Sequence, residues 1–141
     1  MKRIITLLEE KNHYLEKFYA LNENELLNLK QGNFDSLESF YKTREKILEI
    51  LNYIDSKLDE AEKKLSEDYE IKSDEKIKII ENLQIKDQYV SRILVQDLEV
   101  ISCIEVAKSN LIKELQEVKK VKKAVGSYKS KVFEQKLDEE A

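Results

Sequence analysis

From Asp74 to Val125 the chain runs for about 52 residues without a proline or a glycine, and apolar residues recur through it every three or four positions. Ile77, Ile80, Leu83, Val90, Leu94, Leu98, Ile101, Ile104, Leu111, Leu115, Val118, Val121 and Val125 make up this stripe, with charges between them. A period near 3.6 held for so long predicts one amphipathic helix, roughly 78 Å long at 1.5 Å per residue. The rest of the chain is expected to be arranged so as to cover it.

Two shorter periodic stretches precede it. Ile4, Leu7, Leu8, Tyr14, Leu15, Phe18, Leu21, Leu26 and Leu29 predict a first helix over residues 2–31, with Lys11 and Asn22 interrupting its apolar face. Gly32-Asn33 stops it, since glycine takes the left-handed cap conformation without a Cβ clash. Asp35, with Glu38 three residues on, has the spacing of a capping box for the next helix. That helix, over residues 36–69, has alternating steps of three and four through Leu37, Phe40, Arg44, Ile47, Leu51, Ile54, Leu58, Ala61 and Leu65. Heptad spacing of this kind calls for a partner helix. The stem of Arg44 can lie along the seam while its guanidinium reaches solvent or a carboxylate. Ser73-Asp74-Glu75 caps a third helix over residues 74–125.

Short connections make sequential helices antiparallel neighbours. The expected fold is all-α: an elongated antiparallel three-helix coiled-coil bundle with a long overhanging third helix. Residues 1–125 are expected to form a single helical domain. Gly126-Ser127 is read as stopping the third helix and leaving 126–141 as a flexible C-terminal tail.

The helix lengths then direct attention to one segment. A second helix that turns near residue 71 and runs back along the third covers it only to about Asn110. Beyond that point an apolar stripe of roughly 24 Å has no helix to pack on. Ile104, Leu111, Leu115, Val118, Val121 and Val125 are therefore candidate partner-binding residues. The stripe suits an amphipathic helix of a client protein or a weak homodimer, which the residues alone do not separate.

Little in the sequence suggests catalysis, and the expectation is a non-enzymatic protein with no cofactor and no metal. His13 is the only histidine and is expected on the surface beside Tyr14. Cys103, the only cysteine, falls between Ile101 and Ile104 and reads as a buried thiol. There is no glycine-rich phosphate loop, CxxC pair or HExxH motif. No apolar run approaches the ~20 residues of a membrane span, and the start of the chain reaches acidic residues too early for a signal peptide. A cytoplasmic location is expected. The net charge of −4 argues against nucleic acid, although Lys119, Lys120, Lys122, Lys123, Lys129 and Lys131 follow one another with no acid between them. Lysines near a helix C-terminus complement its dipole, which accounts for this run without a nucleic-acid or anionic-lipid partner.

Residues 19–51, YALNENELLNLKQGNFDSLESFYKTREKILEIL, resemble the helix-turn-helix signature of the FlgN type of flagellar export chaperone, carried by Gly32, Asn33, Leu37, Arg44, Glu45, Ile47, Leu48 and Leu51. The resemblance implies a chaperone that binds the C-terminal amphipathic helices of hook-filament junction proteins with its own C-terminal helical part and delivers them to the export gate. Tyr128 resembles, loosely, the Tyr-containing end of such chaperones and is the candidate for docking on an export-gate protein. The alternative is a structural coiled-coil adaptor or stalk protein of an export apparatus, resembling the FliJ type and dimerising through the third helix.

Overall fold

A computed structural model of the chain describes the backbone of residues 1–140 and the side chains of residues 1–126. The fold is all-α, with three helices: α1 (Lys2–Lys30), α2 (Leu37–Lys64) and α3 (Ser73–Glu140). No strand occurs among the described residues. The chain divides into two compact units, Met1–Cys103 and residues 104–141.

The α1–α2 turn is built as its sequence suggests. Gly32 has a φ of 77°, and the amides of Gly32 and Asn33 donate to the carbonyls of Leu29 and Asn28 at 3.1 and 2.9 Å. This is the Schellman closure of a helix, and a residue with a Cβ would be strained there. The expected capping box at Asp35 and Glu38 is absent. Ser36 is the N-cap residue, and its hydroxyl turns back to donate to the Glu25 carboxylate at 2.9 Å instead of capping α2.

Helix α2 ends at Lys64, not near Tyr69, because Leu65 is extended (φ −67°, ψ 132°). Ser66 to Tyr69 then form a turn, with the Tyr69 amide donating to the Ser66 carbonyl at 3.0 Å. At the start of α3 the Glu75 carboxylate accepts from the Lys72 amide at 3.1 Å, which is the glutamate half of a capping box. The same carboxylate accepts from the Tyr69 hydroxyl at 3.0 Å. Desolvation and the carboxylate's charge both push the Tyr69 phenol above its ordinary pKa.

Two boundaries of α3 differ from expectation. The helix begins at Ser73 and passes through Gly126 without a break to Glu140. Gly126 does not adopt a positive φ, and the helix expected to stop there continues through residues 126–140. The division of the chain also falls inside α3, so the single domain expected over 1–125 becomes two units.

In the first unit, Leu15 and Phe18 of α1, Ile47 and Leu51 of α2 and Ile93 of α3 form the buried apolar cluster. All nine seam positions of α2 are buried or half-buried, as their spacing predicts. His13 is exposed, with its ring edge-on to Tyr14 at 5.5 Å.

Candidate binding surfaces

The face that α3 turns to the bundle differs from the one its sequence suggests. The covered positions are Ile79, Asn82, Lys86, Tyr89, Ile93, Gln96, Val100 and Cys103, alternating steps of four and three. This heptad lies one residue away from the apolar stripe, about 100° around the helix. Ile77, Ile80, Leu83, Val90, Leu94, Leu98 and Ile101, expected in the core, are all exposed, Leu98 to 68%.

The observed rotation brings polar donors to partners, although the Oδ1 atoms of Asn12 and Asn22 and the Oε1 atom of Gln96 stay unpaired. Asp97 accepts from Arg44 of α2 at 3.1 Å through one carboxylate oxygen and from the Asn22 amide of α1 at 3.1 Å through the other. One carboxylate thus ties all three helices together, and the Arg44 guanidinium also lies over the Phe18 ring, 5.3 Å from its centre. Gln96 donates to the Tyr19 carbonyl at 3.2 Å and to Glu23 at 2.8 Å. Asn12 donates to the backbone carbonyl of Asn82 at 2.9 Å. Lys11, the other polar interruption of α1, pairs with Asp55 at 2.6 Å. Asn12, Asn22, Lys11 and Arg44 interrupt the α1 and α2 seams, and a buried polar group without a partner costs about 1–3 kcal/mol. The sequence reading weighed those interruptions helix by helix. Their signal lies in matching Asn12 to Asn82 on the covered heptad of α3, and Asn22 and Arg44 to Asp97 next to that heptad.

The first unit therefore carries an uncovered apolar stripe along α3. Beside it, Phe40, Tyr41, Arg44, Asp97, Val100 and Ile101 line a cleft of about 100 Å³ between α2 and α3. Sequence reasoning missed this surface because it assigned the stripe to the core.

The second unit carries the candidate residues named from the sequence. Ile104 is half-buried, and every residue from Lys108 to Gly126 is exposed. Leu111, Leu115, Val118, Val121 and Val125 share one side of the helix within an arc of about 120°. Val106 and Ile112 are exposed outside that arc. Tyr128 lies outside the residues whose side chains are described, as do Lys129 and Lys131. Exposure begins at residue 108, slightly earlier than expected.

Cys103 is half-buried at the last covered turn. Among the described residues, no group of three or more His, Cys, Asp and Glu side chains is placed to hold a metal ion, and no helix is long and apolar enough to cross a membrane. Comparisons with protein-family models, with curated proteins and with solved structures return no match to this chain.

Proposed function

We propose that the chain is a non-enzymatic export chaperone that captures an amphipathic helix of a client protein on Leu111, Leu115, Val118, Val121 and Val125. The observation that carries this reading is the row of exposed aliphatic side chains on one side of a helix whose residues 108–126 are all exposed. Exposed apolar stripes of this kind mark interaction sites, and a helix laid along them buries its own apolar face in return. Burying five aliphatic side chains yields a gross gain of about 8–15 kcal/mol, from which ordering and association costs leave an affinity on the order of micromolar. The resemblance of residues 19–51 to FlgN-type chaperones supplies the biological setting: hook-filament junction proteins as clients, delivery to the export gate, and a cytoplasmic location.

The test is capture of purified junction proteins, and of the same proteins from lysate, by the full chain and by a Leu111→Asp, Leu115→Asp variant. The wild type is expected to retain them and the variant to lose them by at least a hundredfold, with helical circular dichroism unchanged because both positions are exposed. Junction proteins ignored by the wild type, or held equally by the variant, would overturn the reading. A structural coiled-coil adaptor is the second reading. It is favoured by the exposed stripe from Ile77 to Ile101, which a client seated on residues 111–125 leaves uncovered.

A further inference from the structure

We infer that the α2–α3 face of the first unit is a receptor groove for the basic amphipathic segment 104–125 of a second copy of this chain. The register of the groove is set by the Arg44–Asp97 pair. Because α2 and α3 run in opposite directions, Tyr41 lies beside Ile101 on one side of that pair, and one turn further along on the other side Leu48 comes level with Leu94. All four are exposed apolar side chains. Tyr41 and Ile101 line the cleft of about 100 Å³, and Leu48 and Leu94 extend its apolar face along the two helices.

Charge identifies the occupant. Glu62 continues the heptad line of Tyr41 and Leu48 along α2, with Glu45 and Asp59 on the same side, while Asp55 on that line already pairs with Lys11 of α1. From residue 45 to 62, α2 carries six acidic residues against two basic ones, a net charge of −4. Segment 104–125 carries six lysines against three glutamates, a net charge of +3, around an apolar stripe of the same heptad spacing. An apolar groove with an acidic rim and an apolar stripe with basic flanks are complementary in both respects. A contact that pairs each α3 stripe with itself in parallel would instead set Lys108 against Lys108 and Asp87 against Asp87, which repel. The inference does not depend on the export setting or on any client. In a chain that also captures clients, the second copy would occupy the stripe until a client displaced it.

The experiment is sedimentation velocity on the full chain at about 5–100 µM, with Leu94→Asp to spoil the groove and Leu115→Asp to spoil the stripe. The wild type is expected to associate and each variant alone to be at least tenfold weaker. An equimolar mixture should regain a one-to-one complex, because one variant keeps an intact stripe and the other an intact groove. Both substituted positions are exposed, and unchanged circular dichroism verifies the fold. A rim variant, Glu45→Lys with Asp59→Lys, leaves the apolar floor intact and should also weaken association by about tenfold. A monomeric wild type, a Leu94→Asp variant that still associates, or a mixture that stays monomeric would overturn the inference. Leu94→Asp lies outside the client stripe, so loss of self-association with client capture intact separates this inference from the proposed function.

Discussion

Ile93 and Leu94 are neighbours in α3 with side chains of the same size, yet Ile93 is 8% exposed and Leu94 59%. The contrast extends along the first unit. The covered face of α3 carries Asn82, Lys86, Gln96 and Asp97 among a few apolar residues, while the open face carries Ile80, Leu83, Leu94, Leu98 and Ile101. Turning α3 by one residue would bury five aliphatic side chains, a gross gain of about 8–15 kcal/mol, but would expose Ile79, Tyr89, Ile93, Val100 and Cys103, which offsets most of it. It would also break the hydrogen bonds that the Asn12, Asn22 and Gln96 amides donate and disturb the partly exposed Arg44–Asp97 pair, at about 1–3 kcal/mol each. The apolar terms nearly cancel, and the polar ones favour the observed rotation. Neither rotation satisfies both faces within one chain, whereas an external helix on the open face satisfies both at once. The difference between the two stripes therefore points outward to an interface.

The sharpest way to break this comparison is to place the same side chain at both neighbours. Ile93→Asp puts a charge into the cluster of Leu15, Phe18, Ile47 and Leu51 and is expected to cost at least 4 kcal/mol, on the order of the whole unit's stability. Leu94→Asp is expected to cost about 0.5–1 kcal/mol, most of it aspartate's poorer helix propensity. Urea titrations at high dilution, where association does not contribute, read both values. A larger cost at Leu94 than at Ile93 would show that the helix sits in the other rotation.

A smaller effect tests what fixes that rotation. Asp97→Leu removes the carboxylate shared by Arg44 and Asn22, and a loss of about 1–3 kcal/mol is expected, moderated because both charged side chains are partly exposed. Adding Arg44→Met should recover much of it, since the stranded charge then disappears. A double-mutant cycle gives the coupling, expected near 1–2 kcal/mol. A coupling of zero would mean that the pair decorates the seam without selecting it.

These energies explain what could be read from the sequence. The α2 seam was legible because eight of its nine positions are apolar and Arg44 alone needed a partner. The Gly32 turn was legible because its left-handed conformation suits glycine and little else. The stripe at residues 111–125 lies on one helix face, which its spacing alone dictates in a continuous helix. The phase of α3 within the bundle was not legible from its own hydrophobicity, because the more apolar of its two heptads lost. The choice is made by Asn12, Asn22 and Arg44, up to 75 residues away in sequence. The end of α2 was missed because Leu65 continues the apolar spacing although its backbone is extended.

The smallest predicted effect concerns how far the open stripe continues. Gly126 is helical, its φ is not positive, and a Cβ added there meets no atom within 4 Å. Gly126→Ala should stabilise the local helix by about 0.5–1 kcal/mol, with no change in the unfolding midpoint of the first unit. Amide exchange at residues 122–126 should slow by roughly threefold, the factor corresponding to that energy. The same substitution at Gly32, where φ is 77°, is expected to have the opposite sign and cost about 1 kcal/mol, because an L residue resists the left-handed region. If Gly126→Ala instead speeds exchange, the glycine acts as a helix stop and the stripe ends at Val125. If it slows exchange, the helix persists beyond Val125, and a partner on the open face has a longer track than the five aliphatic residues named from the sequence.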